Sequence, residues 1–314
     1  MKKFLIRLTY FLIATFILAL IFDIFISYRL SMHSKERVYQ QWGNLYKDSL
    51  TADVIVLGSS RAWTQYNPAI IDSVLHTNSF VNGIDGSAIN RQMIKYKNYC
   101  RITNSKPKLI IQNIDLGTMA ITYGYEREQF FPYFVLDREV VYSYQPYENF
   151  NILELYLPCY RYIGYPEEVK KALDLHTEYP EPLYKGYFGR NIEYDGSELR
   201  KKDTITAAID STMLIKFDNF CSEVKSDNIE MCFVYAPVYI EATKKLVNKD
   251  EMYKAYQTIA NKYNIPILDY NYHPISCDST NFYNATHLNK KGSILFSTQL
   301  AHDLDSLGIL QIKQ

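Results

Sequence analysis

The sequence predicts an α/β protein in which a parallel sheet lies between two layers of helices, preceded by one membrane-spanning helix. Three observations lead to this prediction: short β-branched apolar segments, helical patterns between them, and a long apolar run near the N-terminus. Short apolar runs suit strands covered on both faces. Alternation of such strands with helices is typical of a parallel sheet.

The predicted strands share a short length and a high content of Val, Ile and Leu. They are Asp53–Leu57, Ser79–Val81, Leu109–Ile114, Glu230–Tyr235 and Ile265–Leu268. Helical patterns cover Asn67–Leu75, Ala88–Cys100, Asp250–Tyr263 and Ser293–Leu307. Because functional groups of such sheets gather at the carboxyl ends of the strands, candidate residues are sought there.

The apolar run Leu8–Tyr28 predicts an uncleaved membrane anchor over residues 1–28. A helix of about 20 residues crosses the hydrocarbon core of a bilayer. Asp23 lies near one end of the run, where we expect its carboxylate to reach the lipid headgroups. A cleaved signal peptide is the alternative, but the run is long for one and no small-residue cleavage site follows it.

The anchor sets the expected organisation of the rest of the chain. Long domains translocate largely regardless of charge, so we expect a single-pass protein of the cell membrane with a cytoplasmic N-terminus and an extracytoplasmic main domain. Residues 29–50 are predicted to form a polar stalk, and residues 51–314 the α/β domain.

Strand–helix alternation stops at about 119–201, which predicts an inserted helical cap. Its many Tyr and Phe residues are either packing residues or a surface that stacks on sugars.

Composition excludes several classes of function. Lys plus Arg equals Asp plus Glu, giving a formal net charge of +0 without a basic stripe, so nucleic acid is not an expected partner. The five cysteines form no CxxC pair. The sequence contains no HExxH motif, phosphate-binding glycine loop or dinucleotide fingerprint, so neither a metal nor another cofactor is expected.

The first chemical motif is Gly58-Ser59-Ser60, at the end of the first predicted strand and just before a helix. A strand–turn–helix of this kind can expose a hydroxyl while the next backbone N–H groups point at a developing oxyanion. The same residues also form common turns and helix caps. Ser60 is therefore a candidate nucleophile that needs a partner base.

A second motif supplies that base. Residues 282–292 read FYNATHLNKKG and precede the last amphipathic helix, which places His287 next to a helix start. Together the two motifs resemble the SGNH (GDSL-like) hydrolase superfamily, in which a Gly-Asp-Ser-like block carries the nucleophile and an Asp-x-x-His block carries the base. The resemblance covers about 50–118 and 225–310. It implies a three-layer α/β/α flavodoxin-like fold with Ser60 as nucleophile and His287 as base.

The resemblance also implies donors for an oxyanion. Gly86 best matches the oxyanion glycine of the family, with Gly83 as the second choice, so the backbone N–H groups of Ser60 and Gly86 are the expected donors. Both glycines also suit a strand-to-helix turn. Where the family places an oxyanion Asn, this sequence has Gly117, and Asn113 comes several residues too early. One donor is thus left unassigned.

The acid position departs from the family pattern as well. Asn284, three residues before His287, replaces the expected Asp. An Asn can orient the imidazole but adds no negative charge to stabilise an imidazolium. Three interpretations stay open: Asp278 or Asp269 supplies the acid, the site is a Ser–His dyad, or catalysis has been lost.

Two further charged residues are candidate substrate contacts. Arg61, next to the nucleophile, either binds an anionic substrate group or pairs with a nearby carboxylate. Asp115, at the end of the third strand, either binds substrate or orients a helix N-terminus.

Within the superfamily, the arrangement looks most like the membrane-anchored branch used in bacterial envelope and exopolysaccharide acylation. That resemblance implies a serine esterase or O-acyltransferase acting on ester-linked acyl groups of cell-envelope glycans. The alternative is a catalytically degenerate SGNH-fold scaffold that binds glycan or recruits envelope-synthesis proteins. Gly117 and Asn284 are the residues that favour the alternative.

Overall fold

The computed structural model describes residues 1–47, 50–121, 126–175, 183–199 and 204–310. The chain forms two compact units, Met1–Asn44 with Tyr123–Pro182, and Leu45–Thr122 with Leu183–Gln314. The predicted cap, 119–201, is therefore divided between the two units.

The second unit contains the parallel sheet that the sequence predicts. Its strands are β1 (Val54–Leu57), β2 (Ser79–Val81), β3 (Leu109–Asn113), β4 (Glu230–Tyr235) and β5 (Ile267–Asp269). They lie in the order β2-β1-β3-β4-β5, and every neighbouring pair is parallel. This is the flavodoxin-like order, so the predicted fold class is confirmed. A separate antiparallel pair follows, β6 (Phe282–Asn284) and β7 (His287–Leu288).

The helices of the described residues include the four that the sequence predicts after the anchor, each close to its predicted bounds. In chain order they are α1 (Lys2–Tyr28), α2 (Arg37–Gly43), α3 (Ser60–Gln65), α4 (Pro68–Leu75), α5 (Ile89–Thr103), α6 (Tyr133–Leu136), α7 (Arg138–Tyr144), α8 (Ile152–Tyr156), α9 (Pro166–Ala172), α10 (Ser211–Ser226), α11 (Ile240–Thr243), α12 (Lys249–Tyr263), α13 (Pro274–Cys277) and α14 (Lys290–Ser306).

Helices cover the sheet on both faces. On one face Val56 and Ile111 belong to the same buried cluster as Phe296 of α14. On the other face the ring of Phe217 in α10 stacks on Phe233 of β4, with the ring centroids 5.0 Å apart. Burying a side chain of this size contributes about 1.5–3 kcal/mol. The sheet is thereby fixed as a rigid platform for the loops at its carboxyl edge.

The first unit begins with α1, which continues as a π-helical turn over Arg29–His33. The helical stretch Lys2–His33, with a mean hydropathy of 2.4 in its most apolar window, is long and apolar enough to cross a membrane. This agrees with the predicted anchor at the level of length and composition.

The segment after α1 differs from the predicted stalk over 29–50. Leu30, Tyr39 and Trp42 are fully buried. The indole Nε1 of Trp42 donates a hydrogen bond to Gln129 Oε1 at 2.8 Å, and the Phe130 ring packs against the indole. The partners of Trp42 come about 90 positions later in the chain, and Tyr39 donates to Glu168 across 129 positions. The segment is therefore a packed part of the unit. The aromatic residues near Trp42 are accordingly packing residues.

Asp23 also differs from its predicted place among the headgroups. Its carboxylate is fully buried and forms an ion pair with Arg161. Within this unit, the helix is thus bound to a segment far along the chain by a buried charge pair.

Candidate active site

A cavity of about 320 Å³ lies in the second unit beside the loops that follow β1 and β3. Its lining combines hydroxyl, imidazole and charged side chains with glycine backbone: Ser59, Ser60, Arg61, Gly86, Ser87, Asp115, Leu116, Gly117, Ala120, Glu198, Ile205, Thr286 and His287. A parallel sheet collects its loops at this edge. The predicted site residues Ser60, Gly86, Arg61, Asp115 and His287 are therefore brought together.

The turn after β1 places Ser60 at the first position of α3. A Cβ atom on Gly58 would lie 2.8 Å from Ala62 Cβ and 2.9 Å from Asn113 Cβ, so only glycine allows α3 to start this close to β3. At the first position of a helix, the backbone N–H has no acceptor within the helix. Ser60 thus brings its hydroxyl to the cavity, and its backbone N–H has no acceptor within α3.

The β6–β7 pair holds His287 on the other side of the site. Asn284 and His287 are cross-strand partners. Asn284 Oδ1 accepts hydrogen bonds from the backbone N–H groups of Thr286 at 3.0 Å and His287 at 2.9 Å. An Asn side chain that bonds to the backbone in this way stabilises a tight turn.

The Ser60, His287 and Asn284 side chains form one chain of hydrogen bonds. His287 Nε2 lies 2.8 Å from Ser60 Oγ, and His287 Nδ1 lies 2.9 Å from Asn284 Oδ1. Because Asn284 Oδ1 only accepts, Nδ1 of the neutral ring carries the proton and Nε2 is left to accept from the serine hydroxyl. This is the tautomer that a general base for Ser60 requires.

Burial and positive charge both act on the His287 ring. Burial disfavours the imidazolium, and the nearby Arg61 and Arg190 cations disfavour it further, which together lower the pKa of His287 to about 3. The ring is therefore neutral over the ordinary pH range. A neutral imidazole is the form that can accept the proton of Ser60.

The two aspartates considered as the acid lie elsewhere. Asp278 is exposed and caps a short 3₁₀ helix, where Oδ1 accepts from Thr280 N at 2.9 Å. Asp269, at the end of β5, accepts from Asn271 N at 2.9 Å. Neither is among the hydrogen-bond partners described for the His287 ring. Asp278 as a catalytic residue is thus corrected by the structure, and Asn284 occupies the position beside Nδ1.

Asp115 lines the cavity, but its carboxylate is occupied by protein donors. Oδ2 accepts from Ser59 Oγ at 2.9 Å and from Asn113 Nδ2 at 3.1 Å. Oδ1 accepts from Gly117 N at 2.8 Å and from Thr118 Oγ1 at 3.2 Å. Its four bonds fix the loop after β3 against the Ser59 side of the turn. The geometry therefore favours a positioning role over the predicted contact with substrate.

Of the candidate oxyanion donors besides Ser60, Gly86 best fits the predicted role, and two others pack or bind within the protein. Gly86 lies at the cavity with φ of 59°, a backbone conformation that suits glycine. Gly83 is buried, and a Cβ there would lie 3.2 Å from Ser59 O, so it is a packing glycine. Asn113 is buried, and its amide nitrogen donates to the Asp115 carboxylate. Gly117 lines the cavity but has no side chain that could donate a hydrogen bond.

Arg61 is 4 % exposed and lines the same cavity. Its Nη2 donates to Ala236 O, and its guanidinium lies 5.0 Å from the centre of the Tyr235 ring. Within the described parts of the chain, Nε and Nη1 of Arg61 have no hydrogen-bond partner. The predicted pairing with a nearby carboxylate is thus not found among those residues.

Sequence reasoning did not single out Thr286 and Arg190. Thr286 Oγ1 lies 3.0 Å from His287 Nδ1, and Arg190 acts on the ring through its charge. Because Thr286 directly precedes the candidate base in sequence, its position could have indicated a contact with His287. Arg190 lies in the predicted cap range, and no local pattern connects it to His287.

Solved structures similar to the chain include a GDSL-like lipase from Bacteroides thetaiotaomicron, with 9% identity and a TM-score of 0.40 over 85% of this chain and 99% of that one. A lipase/acylhydrolase from Enterococcus faecalis has 10% identity and a TM-score of 0.40 over 81% and 96%. A catalytic mutant of an acetylxylan esterase from Geobacillus stearothermophilus has 10% identity and a TM-score of 0.39 over 85% and 99%. No protein-family model and no curated protein matches the sequence.

The low pKa of His287 should be visible in a titration of the ring. We expect its ¹³Cε1 resonance, assigned with a His287→Gln variant, to show a neutral imidazole from pH 7 down to about pH 4, below the ordinary midpoint of about 6.5. In Asn284→Asp, a carboxylate beside Nδ1 favours the imidazolium and should raise the midpoint.

Asn261→Asp, on the exposed side of α12, adds the same charge at a distance and is the matched control. A wild-type midpoint between pH 6 and 7, or equal shifts in the two Asp variants, would contradict this description of the site.

Proposed function

We propose that the chain is a membrane-anchored serine esterase or O-acyltransferase of the SGNH type that acts on ester-linked acyl groups of cell-envelope glycans. The observation that carries the proposal is the 2.8 Å hydrogen bond between Ser60 Oγ and His287 Nε2. A serine hydroxyl, a correctly oriented neutral imidazole and a cavity beside them are the parts that acyl transfer requires.

In the first half of the reaction, Ser60 Oγ attacks the ester carbonyl while its proton passes to His287 Nε2. The carbonyl oxygen becomes an oxyanion, which the backbone N–H groups of Ser60 and Gly86 stabilise. When the intermediate collapses, the bond to the alcohol breaks and the alcohol leaves with the proton of His287 Nε2. The acyl group is then bound to Ser60.

In the second half, a hydroxyl group attacks the acyl-enzyme while His287 again accepts and returns a proton. Water as the attacking group gives hydrolysis, and a sugar hydroxyl gives transfer. Asn284 holds the ring through Nδ1 in both halves, but it brings no charge to stabilise the imidazolium. In a serine protease, replacing the acid by Asn lowers turnover about ten-thousandfold. We therefore expect slow turnover on simple esters.

Hydrolysis of 4-nitrophenyl acetate tests the nucleophile. We expect Ser60→Ala to lower kcat/KM at least about a thousandfold, because loss of a nucleophile removes the whole covalent route. Ser59→Ala is the matched control: its hydroxyl donates to the Asp115 carboxylate. A hydrogen bond to a charged group contributes about 1.5–3 kcal/mol, so its loss should cost about a hundredfold at most. Full activity in Ser60→Ala, or loss in Ser59→Ala alone, would contradict the assignment.

The charge around the cavity supports a substrate that carries a negative group. Arg61 is buried with two nitrogens that lack partners in the described residues, and Arg190 adds a second cation near His287. A hydrogen bond between a charged donor and an anion contributes about 1.5–3 kcal/mol, more than a neutral one. A glycan with a uronic acid or another anionic substituent fits this environment better than a neutral glycan.

Acetylated oligomers of glucuronic acid and of glucose test this preference. We expect the wild type to release acetate from the acidic oligomer with at least about tenfold higher kcat/KM, in line with one charged hydrogen bond. In Arg61→Gln the two rates should become similar while hydrolysis of 4-nitrophenyl acetate persists. An equal preference in wild type and variant would exclude Arg61 as the anion contact.

A non-catalytic scaffold is the second candidate, favoured by Asn284 in place of an acid and by Gly117 in place of a side-chain oxyanion donor. A folded wild-type protein that binds envelope glycan equally well with and without Ser60, and hydrolyses no ester, would decide for the scaffold.

A further inference from the structure

The exposed side of α1 is apolar from Leu8 to Phe25, after the cations Lys2, Lys3 and Arg7 of its first two turns. Residues 1–18 are all exposed, and Ile21, Phe22 and Phe25 remain exposed further along. The protein first covers the helix at Ala19 and Leu20, and it buries Asp23, Ile26 and Ser27 on one side only. At a rise of about 1.5 Å per residue, the stretch from Leu8 to Phe25 extends about 25 Å, close to the thickness of the hydrocarbon core.

The covered side of α1 is bound to the segment around Cys159. Cys159 N donates to Asp23 Oδ2 at 2.9 Å, and Cys159 Sγ lies 3.3 Å from Ala19 O. Arg161 Nη1 donates to Asp23 Oδ2 at 2.8 Å. These bonds fix residues 159–161 at the level of Ala19–Asp23. A buried charge left without its partner costs several kcal/mol, so the attachment is specific.

Large apolar side chains are exposed on both sides of this attachment. They are Ile152, Leu153, Tyr156, Leu157, Ile163 and Tyr165, which we call the apolar shoulder. Ile152 and Ile163 are each 70% exposed. Soluble surfaces rarely gather so many large apolar residues, and such patches mark protein or membrane contacts. Tyrosines beside aliphatic residues are typical of the membrane–water interface.

We propose that the apolar shoulder inserts into the membrane–water interface beside α1. The first unit then contacts the bilayer through both α1 and the apolar shoulder. The occupant is lipid because the segment 159–161, which the shoulder flanks in sequence, is bound to α1 at Ala19–Asp23, where the other side of the helix still exposes Ile21, Phe22 and Phe25. When α1 spans a bilayer, lipid surrounds the helix at the level of Ala19–Asp23 wherever the protein does not cover it.

This proposal rests on α1 crossing the membrane and is independent of the catalytic assignment. It also explains why a carboxylate occurs in the apolar helix. Asp23 is neutralised by Arg161 inside the protein, so it does not face lipid.

Quenching of tryptophan fluorescence by brominated lipids tests the apolar shoulder. The full chain is placed in nanodiscs of phosphatidylcholine with brominated or ordinary acyl chains, and the wild-type signal of buried Trp42 and Trp63 is subtracted. Interfacial side chains lie about 5–10 Å into the headgroup–acyl boundary, so Ile152→Trp and Ile163→Trp should lose at least about half of their emission in brominated lipid. Phe11→Trp, on α1, should be quenched as well.

Ile215→Trp is the matched control, since Ile215 is an exposed apolar residue of α10 in the other unit. It should keep its emission. Quenching of Phe11→Trp together with unquenched Ile152→Trp and Ile163→Trp would overturn the proposal and would point to a protein partner or a second copy on this surface. Equal quenching at Ile215 would overturn it too, because contact with lipid would then not be specific to the shoulder.

Discussion

The candidate active site depends on the hydrogen bond between Ser60 and His287, two residues that are 227 positions apart in the chain. Each is brought to the bond by a different local structure. The glycine turn after β1 brings α3 close to β3 and exposes Ser60, and the short β6–β7 pair holds the imidazole. The parallel sheet makes their meeting possible because it collects these loops at one edge. Loss of the sheet register would therefore separate the pair.

The electrostatics of the site follow from what surrounds that bond. Asn284 fixes the ring without adding charge, and burial with two nearby arginines keeps the imidazole neutral. A neutral imidazole can accept a proton. In the proposed reaction, however, Asn284 would give the imidazolium no charge stabilisation, and Arg61 and Arg190 would disfavour it. An anionic substrate group near Arg61 would supply negative charge that the site otherwise lacks. Substrate charge and catalytic efficiency would then be coupled.

Much of this was predictable from the sequence because the signals are local. β-branched runs predicted the strands, and the motifs around Ser60 and His287 predicted which loops meet. The wrong predictions concern which way a side chain points and which distant residues it contacts. Asp278 is close to His287 in sequence, but it caps a 3₁₀ helix. The predicted stalk is instead packed, since Trp42 finds Gln129 87 positions later. Asp23 finds Arg161 across 138 positions. No periodicity or motif records such pairs.

Covalent labelling of the full chain with a fluorophosphonate, followed by peptide mass spectrometry, tests most directly whether His287 activates Ser60. We expect a single adduct on Ser60, absent from Ser60→Ala and strongly reduced in His287→Gln, since the label reacts with a serine activated by a base. Ser59, the neighbouring hydroxyl, should stay unmodified. A chain that is folded by circular dichroism and carries no adduct, or an adduct on Ser59, would contradict the central claim.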